Sequence, residues 1–394
     1  MQSASRKPRI GLYQPYPHSF GGMQAVVLKL AKRLPDFGYE PVIISPEDGG
    51  FIQTVRSEKL SFLVCDPGPE WHVYGRGANS FSYLFSIRRL FALCRYWRQL
   101  SHNLRQNKID LLHCNDYRAV MLAAPAARLA GIPVIWHVHG FVCSRLLNLI
   151  AAALVQGAVP VSYGMLDYIK LPRWLFGHYR VIHNGLEPAP VSAPSVEESP
   201  PPDDTPVILA LGRLHPCKGY ETLIRAFCRV SAHIPAAECW IVGKEFGDGR
   251  YAQQLRNLVH SLGLNGKVKL PGHSSDVSGH LRQCRLLVVP SSIETFGMVA
   301  IEAMLAGKPV VACRTGGLQD IVVHRQTGSL VEIGNDKAMS DAILEILNDG
   351  ALARKMGEAA RKRVLEHFSL EKMASSFADF YSTFLQPADG TAEA

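Results

Sequence analysis

Residues 285–313 read RLLVVPSSIETFGMVAIEAMLAGKPVVAC and decide how this chain folds. The apolar run predicts a buried strand that ends at Pro290, and a helix that begins near Gly297 or Met298. The next strand begins at Pro309, after a glycine that closes the helix. A strand, a loop, a helix and a second strand in this order are typical of a βαβ unit in a parallel sheet.

The loop and helix start in this stretch combine backbone N–H groups with two carboxylates. The unpaired N–H groups around Phe296, Gly297 and Met298 suit an anion such as a phosphate. Glu294 and Glu302 flank them, and a carboxylate can accept hydrogen bonds from two neighbouring hydroxyls. The pattern therefore suggests a sugar on one side and a ribose on the other. The alternative is that Glu302 only complements the helix dipole and Glu294 is a solvated loop residue.

Residues 207–227, VILALGRLHPCKGYETLIRAF, predict a second strand, loop and helix. Arg213 and Lys218 lie in one loop, with Gly219 just before the helix. Two cations at a helix N-terminus can neutralise a diphosphate and stabilise the charge that develops as it leaves. The spacing differs from a phosphate-binding P-loop, and loop cations are often merely solvated, so both interpretations stay open.

In the first half, residues 9–34 predict a strand, a loop with Gly21 and Gly22, and a helix. Such glycines let the backbone approach a ligand at a helix N-terminus. The nicotinamide fingerprint G-x-G-x-x-G is absent from this stretch, which disfavours a dehydrogenase.

Two histidines end the strand in residues 133–142, PVIWHVHGFV. Alternation places His137 and His139 on one face, and His139 lies nearer the carboxyl end, where ligands bind in parallel sheets. We predict a contact with the reacting centre for His139, with a structural histidine as the alternative. No third ligand of matching spacing accompanies them, so no metal site is predicted.

Short apolar runs alternate with amphipathic stretches on both sides of one proline-rich segment. Seven prolines fall within residues 187–206, which predicts a linker. We expect two doubly wound α/β domains: residues 1–187, a linker at 188–206, and residues 207–370. The helix predicted at 371–386 could pack back on the first domain. Ligands of such domains bind in a cleft between them.

Composition narrows the class of protein. The chain has 394 residues, of which 47% are apolar and 19% charged, so it is globular and long enough for two cores. Nine cysteines, none in a C-x-x-C pair, favour a reduced, cytoplasmic protein. The N-terminus lacks the apolar segment of a signal peptide. The uncharged run at 146–166 contains polar residues and proline, which favours a buried helix over a membrane span.

Together these motifs resemble the retaining glycosyltransferases of family 4, which have the GT-B fold of two Rossmann-like domains facing a cleft. The matching pieces occur in the family order and cover nearly the whole chain. They are Gly21-Gly22, His139-Gly140, VSYGMLDYI at 161–169, VIHNGLE at 181–187, LGRLHPCKG at 211–219, Glu294 with Glu302, and GGLQDIVVHRQTGSLV at 316–331.

The resemblance implies a role for each matched residue. Arg213 and Lys218 would hold the donor diphosphate and support its departure, Glu302 would hold the ribose, and Glu294 and His139 would contact the sugar. Backbone groups of Phe296, Gly297 and Met298, together with the glycine loop at Gly21 and Gly22, would complete the donor site. The loop after KVKLPG, which contains His273, would contact the base. The family transfers without a bound metal, and no cofactor beyond the nucleotide-sugar is implied.

The acceptor is predicted to bind the basic half of the chain. Residues 1–187 hold 21 Lys and Arg against 11 Asp and Glu, whereas residues 188–394 hold 21 against 23. Residues 83–108 predict a helix with an apolar face and an arginine face. The apolar face comprises Leu90, Leu93, Trp97, Leu100 and Leu104. The helix could meet anionic lipid or a phosphorylated acceptor, or simply pack on the sheet with its arginines in water.

The sequence therefore predicts transfer of a sugar from a nucleotide-diphosphate donor to a hydroxyl of a glycan, in envelope polysaccharide, lipopolysaccharide or lipid-linked glycan synthesis. The protein would be cytoplasmic and possibly peripheral on the inner face of the cell membrane. A small soluble acceptor, a GT-B nucleotide-sugar epimerase, and a catalytically silent protein that binds nucleotide or membrane are the alternatives. Nucleic-acid binding is disfavoured because no recognition module accompanies the positive charge.

Overall fold

The computed structural model describes residues 6–18, 21–72, 87–140, 144–169, 177–188, 205–245 and 247–385. Contacts divide the chain into two compact units. The first comprises residues 1–161, 165–185 and 370–394, and the second comprises 162–164 and 186–369. Most of the predicted linker, residues 189–204, lies outside the described residues.

The first unit is built on a parallel sheet of seven strands in the order β3-β2-β1-β4-β5-β6-β7. Among its central strands, β4 and β5 are buried along their whole length and β1 at every position after Arg9, as expected for a sheet with helices on both faces. The strands are β1 (Arg9–Tyr13), β2 (Glu40–Ser45), β3 (Phe62–Val64), β4 (Leu111–Asn115), β5 (Val134–Val138), β6 (Gly157–Pro160) and β7 (His178–Tyr179).

Strand β7, at the edge of this sheet, is only two residues long. β7 pairs with β6 at two positions only, Gly157 with His178 and Ala158 with Tyr179. β6 then ends at Pro160, whose carbonyl still accepts a hydrogen bond from Ile182. Proline has no N–H to donate in return, so the ladder cannot continue along this edge.

The described residues of the first unit form six α-helices before residue 170. They are α1 (Gly22–Arg33), α2 (Gly50–Ser57), α3 (Ile87–Gln106), α4 (Tyr117–Ala130), α5 (Arg145–Leu154) and α6 (Met165–Ile169). The Ser144 hydroxyl caps α5 by accepting from the Leu147 N–H at 3.4 Å. α5 has ten residues, and all of them except Arg145 lie in the uncharged run at 146–166.

The apolar face predicted for α3 is correct at its C-terminal end and wrong at Leu90. Leu100 and Leu104 are fully buried, whereas Leu90 is 52% exposed. Trp97 donates to the carbonyl of Leu122, and Arg105 to that of Ala130, so α3 runs parallel to α4. With that offset, Leu90 lies level with residues that precede the start of α4, and no turn of α4 covers it.

The second unit contains a parallel sheet of six strands in the order β10-β9-β8-β11-β12-β13. Its strands are β8 (Val207–Leu211), β9 (Glu238–Val242), β10 (Val268–Gly272), β11 (Leu286–Val289), β12 (Val310–Cys313) and β13 (Gly328–Val331). Its helices are α7 (Tyr220–His233), α8 (Arg250–Ser261), α9 (Val277–Gln283), α10 (Met298–Leu305), α11 (Leu318–Ile321), α12 (Asp336–Asn348) and α13 (Gly350–His367). Both sheets therefore follow the doubly wound pattern.

The C-terminal helix α14 (Leu370–Leu385) belongs to the first unit. It packs against α1, and the Tyr39 hydroxyl donates to the carbonyl of Ala378 at 3.0 Å. Phe377 and Tyr381 on α14 are fully buried. The last helix thus completes the core of the first unit.

Candidate functional site

The strand order of each sheet defines one position at which ligands usually bind in folds of this kind. Successive strands run outward in opposite directions from the pair β1 and β4 in the first sheet, and from β8 and β11 in the second. The loops that follow such a pair diverge to opposite faces and leave a crevice at the carboxyl ends of the strands. Each unit therefore has one such switch point.

At the switch point of the second unit, a lysine and a glutamate form an ion pair. Lys218 lies in the loop after β8, and Glu294 lies in the loop after β11. The Lys218 Nζ atom is 2.6 Å from the Glu294 Oε2 atom, and their side chains are 21% and 13% exposed. The Ser291 hydroxyl also lies 3.4 Å from this carboxylate oxygen. The two strongest sequence motifs are thus brought into direct contact.

Backbone contacts hold the two loops together. The carbonyl of Cys217 accepts hydrogen bonds from the Ser292 N–H at 2.9 Å and the Ser292 hydroxyl at 3.2 Å. Gly219, with φ of 66°, lies so close to the other loop that a Cβ atom would come within 2.2 Å of the Pro290 carbonyl oxygen. Only glycine fits this approach, which brings Lys218 to the carboxylate.

A third loop supports the start of α10. Gly297 has φ of 114° and precedes the helix, as the sequence predicted. The Gly317 N–H donates to the carbonyl of Glu294 at 3.1 Å, and the Thr315 hydroxyl donates to that of Ser292 at 3.1 Å. The local pattern gave no positioning role to Thr315 and Gly317. The glycine pair that begins at 316 was the only signal there.

The other predicted residues of the second unit lie around this centre. Arg213 is an exposed residue of the loop that carries Lys218. Phe296 is buried, and Met298 begins α10. Glu302 is half-buried in the second turn of α10, and His273 is exposed in the loop after β10.

The predicted residues of the first unit lie at the carboxyl edge of its own sheet. Gly21 precedes α1 in extended conformation, and Gly22 begins that helix. His139 and Gly140 directly follow β5.

His139 is supported by a buried chain of side chains. Its ring centre lies 3.8 Å from that of His137. The His137 Nδ1 atom is 3.1 Å from the His113 Nε2 atom, and the His113 Nδ1 atom is 2.6 Å from the Tyr381 hydroxyl. Sequence reasoning found His137 and His139 but missed His113 on β4 and Tyr381 on α14, because both are distant from them in the chain. The C-terminal helix also reaches the His137 ring through Phe377, with ring centres 4.9 Å apart.

Burial keeps these histidines neutral. Loss of hydration lowers the pKa of His113 and of His139 from 6.5 to about 3. The same burial, together with the two neighbouring imidazoles, lowers the pKa of His137 well below its ordinary value. Neutral rings exchange hydrogen bonds with hydroxyls in either direction, which suits contact with a sugar.

We expect the fold to lose stability as the pH decreases from 6.5 towards 3. Between these pH values the histidines are protonated in the unfolded chain but remain neutral in the folded one. Each buried histidine therefore contributes a slope of up to about 1.4 kcal/mol per pH unit to the free energy of unfolding. Urea unfolding at pH 7 and pH 5 would measure this loss. His113→Asn should reduce it, whereas His260→Asn, at an exposed position of α8, should not. Equal pH dependence in all three proteins would contradict the role of burial.

The described residues contain neither a candidate membrane span nor a candidate metal cluster. No helix among them is long and apolar enough to cross a membrane. Within the same residues, no group of three or more His, Cys, Asp or Glu side chains is arranged to hold a metal ion. The eight cysteines in the described part of the chain form no disulfide.

Solved structures with the same architecture define the fold class. The Anabaena HepE protein in complex with UDP has a TM-score of 0.78 at 22% identity, over 95% of this chain and 100% of that one. A glycosyltransferase from Rickettsia africae has a TM-score of 0.78 at 21% identity, over 97% and 100% of the two chains. The predicted GT-B class of two parallel α/β domains is confirmed.

Two family models match consecutive parts of the sequence. The model described as Glycosyltransferase Family 4 matches residues 20–189, and the model described as Glycosyl transferases group 1 matches residues 193–363. The chain belongs to these glycosyltransferases, which confirms the resemblance stated from its motifs.

Relatives with assigned names carry different enzyme names. N-acetyl-alpha-D-glucosaminyl L-malate synthase of Bacillus anthracis is 29% identical over 46% of each chain. The lipopolysaccharide core biosynthesis glycosyltransferase LpsE of Rhizobium meliloti is 30% identical over 50% of this chain and 56% of that one. The match thus spans about half the length of these relatives. D-inositol 3-phosphate glycosyltransferase of Streptomyces avermitilis is 26% identical over 95% of this chain and 86% of that one.

Proposed function

We propose that this protein is a retaining, metal-independent glycosyltransferase. It transfers a hexose or related sugar from a nucleotide-diphosphate donor to a hydroxyl of a glycan acceptor in envelope polysaccharide, lipopolysaccharide or lipid-linked glycan synthesis. The observation that carries the proposal is the Lys218–Glu294 pair at the switch point of a sheet whose sequence matches the group 1 glycosyltransferases. The UDP complex of a protein with the same fold supports a nucleotide-sugar donor.

In this proposal, the second unit binds the donor. Lys218 and Arg213 neutralise the diphosphate and stabilise its charge as the bond to the sugar breaks. Glu294, on the other side of the ion pair, accepts hydrogen bonds from sugar hydroxyls. The N-terminus of α10 faces the phosphates, Glu302 binds the ribose, and His273 lies by the base. His139 and the glycine loop at Gly21 and Gly22 are further proposed ligand contacts, at the carboxyl edge of the first unit's own sheet.

The sugar keeps its anomeric configuration because the acceptor hydroxyl attacks from the face that the leaving phosphate occupies. The new bond joins the acceptor oxygen to the anomeric carbon as the bond to the diphosphate breaks. The departing phosphate oxygen takes the acceptor proton, so no separate base is required. Glu294 then acts as a sugar-binding residue and not as the nucleophile of a glycosidase pair.

Product analysis tests this proposal. Incubation with a nucleotide-sugar, cell-envelope glycolipids and EDTA should release nucleoside diphosphate and give a glycosylated lipid with the donor's anomeric configuration. An altered nucleotide-sugar without any acceptor would instead indicate an epimerase. Inverted configuration, or loss of transfer with EDTA, would contradict the retaining, metal-independent mechanism.

A small soluble acceptor is the second candidate. The relatives from Bacillus anthracis and Streptomyces avermitilis carry the names of enzymes for malate and for inositol 3-phosphate. L-Malate and inositol phosphate therefore belong in the same assay. Transfer to either one, without transfer to lipid, would favour this candidate.

The helices of the first unit support a membrane-bound acceptor. α4 packs against both α3 and α5. Leu90 and Phe91 on α3 are 52% and 71% exposed, and Leu146 and Ile150 on α5 are 55% and 38% exposed. Exposed arginines accompany them on both helices; they are Arg88, Arg95, Arg98, Arg105 and Arg145. Exposed apolar side chains beside cations suit an anionic lipid surface. We propose that the protein is peripheral on the cytoplasmic face of the cell membrane.

We therefore expect the protein to bind phosphatidylcholine vesicles that contain phosphatidylglycerol. Binding should fall by roughly tenfold or more between 0.05 and 0.5 M salt, because screening weakens the attraction of the arginines. Phe91→Ser should weaken binding at every salt concentration, whereas Ile333→Ser, at a 49% exposed position of the second unit, should not. Salt-independent binding in a vesicle sedimentation assay would contradict the electrostatic account.

A further inference from the structure

A short segment at residues 162–164 belongs to the second unit, although the residues on either side of it in the chain belong to the first. The Ser162 hydroxyl donates to the carbonyl of Thr295, in the loop after β11, at 2.7 Å. The N–H of the next residue, Tyr163, donates to the Asp320 Oδ2 atom on α11, also at 2.7 Å. Ser162 is fully buried. The segment is therefore bound both to the loop that carries Glu294 and to α11.

Glycines allow the backbone of this segment to lie close to the candidate site. A Cβ atom on Gly164 would come within 2.6 Å of the backbone of Gly316, in the loop after β12. A Cβ atom on Gly317 would come within 2.5 Å of the backbone of Phe296, in the loop after β11. Side chains at Gly164 and Gly317 would force these backbones apart. The segment and the two loops are thus in direct backbone contact.

Two hydrogen bonds hold the backbone beside Glu294. The Glu294 carbonyl accepts from the Gly317 N–H at 3.1 Å, and the next carbonyl along the chain, that of Thr295, accepts from the Ser162 hydroxyl. Because peptide groups are planar, two successive anchored carbonyl oxygens restrict the path of the chain just after the Glu294 Cα atom. The carboxylate of this residue forms the 2.6 Å pair with Lys218. The direction of that carboxylate therefore depends on Ser162.

We propose that Ser162 is a positioning residue of the donor site, which sets the direction of the Glu294 carboxylate through the Thr295 carbonyl. This inference rests on the proposed function, in which Glu294 contacts the sugar of the donor. A displacement of about 1 Å in an active site can reduce the rate by about 100-fold, because the reacting groups lose their alignment. Asp320 has a supporting role, since it holds the same segment through the Tyr163 N–H.

The alternative is that Ser162 contributes to stability alone, and Ser340 on α12 provides the matched control. Ser340 is 1% exposed, and its hydroxyl donates to the carbonyl of Lys337 at 2.7 Å. Ser162→Ala and Ser340→Ala each remove one buried hydrogen bond from a hydroxyl to a carbonyl, so both should lower the melting temperature by similar amounts. Any further difference between these variants reports on position.

Carbon-13 NMR of the full chain, labelled at the glutamate carboxyl carbons, reports on Glu294 without any substrate. The Glu294 resonance is the one that Glu294→Gln removes. Ser162→Ala should shift this resonance, because the carboxylate moves relative to the Lys218 ammonium group. Ser340→Ala should leave it at the wild-type position.

Two variants of Asp320 provide an independent route to the same result. Asp320→Ala removes the acceptor of the Tyr163 N–H and should also shift the Glu294 resonance. Asp320→Asn retains a side-chain oxygen that accepts from this N–H, so the resonance should return towards its wild-type position. This pair of variants decides the question if Ser162→Ala does not fold.

Binding and transfer provide the second measurement. The probes are the UDP-, GDP-, ADP- or dTDP-sugar that raises the melting temperature most, and the matching nucleoside diphosphate. Ser162→Ala should lower the rate of transfer by about tenfold or more. It should also weaken binding of the nucleotide-sugar but not of the nucleoside diphosphate, because Glu294 contacts only the sugar. Ser340→Ala should bind both ligands as the wild type does.

The outcomes separate this inference from the proposed function. A Glu294 resonance that Ser162→Ala leaves unchanged, or that Ser340→Ala shifts equally, would overturn the inference. An equal loss of affinity for the nucleotide-sugar and the nucleoside diphosphate in Ser162→Ala would overturn it as well. The expected NMR shifts in a protein that neither binds nor transfers any of the four sugars would keep the link from Ser162 to Glu294 and contradict the donor assignment alone.

Discussion

Lys218→Ala is expected to reduce the rate of sugar transfer by about 10²–10³-fold. Removal of one charge that stabilises a developing anion has this effect in enzymes generally. The ammonium group lies 2.6 Å from the Glu294 carboxylate, so the substitution also leaves a largely buried carboxylate without its cation. We expect the free energy of unfolding to decrease by about 1–3 kcal/mol as a result. Nucleoside diphosphate release and urea unfolding measure the two effects separately.

Two further variants define what the lysine contributes. Lys218→Arg keeps the charge and should recover stability more fully than transfer, because the guanidinium has a different shape. Lys337→Ala removes a lysine whose ion pair with Asp341 is 3.3 Å long and exposed, so neither stability nor transfer should change appreciably. Transfer at the wild-type rate by Lys218→Ala would show that the diphosphate is held elsewhere.

Glu302→Ala is expected to weaken nucleotide-sugar binding by about 10–100-fold. In the proposed site its carboxylate accepts hydrogen bonds from both ribose hydroxyls, and such charged bonds are worth about 1.5–3 kcal/mol. Isothermal titration with the preferred nucleotide-sugar measures the change. The affinity of Glu302→Gln should lie between those of the wild type and Glu302→Ala, because the amide oxygen still accepts a hydrogen bond from one hydroxyl.

A control for this substitution is available on α13. Glu358 is an exposed glutamate of α13, and Glu358→Ala should bind the donor as the wild type does. An unchanged affinity in Glu302→Ala would remove the ribose assignment. It would leave Glu302 as a residue that only complements the start of α10.

The sequence predicted the fold closely because parallel strands that are buried on both faces form short apolar runs. Within residues 285–313, the predicted ends of the strand and the helix agree with those of β11 and α10, because proline and glycine mark these ends. The exposure of Leu90 was not predictable. It depends on where α4 begins beside α3, and helical periodicity contains no information on a neighbour's length.

The local sequence pattern also identified the charged residues of the candidate site, but not the residues that hold them in position. Glu294 and Lys218 lie in loops that follow recognisable strands, so topology alone places them at one edge. The contact of Tyr381 with His113 joins residues 268 positions apart, which no local pattern contains. Asp116 has φ of 81°, which no local pattern indicates, because this angle depends on the path that β4 and β5 impose.

The central claim is that the second unit binds a nucleotide-sugar, and thermal unfolding of the purified protein tests it most directly. UDP-, GDP-, ADP- and dTDP-sugars would each be added without metal, since a ligand that binds only the folded state must raise the melting temperature. We predict a selective rise with sugars of one base, which Glu302→Ala diminishes. No rise with any of the four at millimolar concentration would contradict the donor site and favour a catalytically silent binding protein.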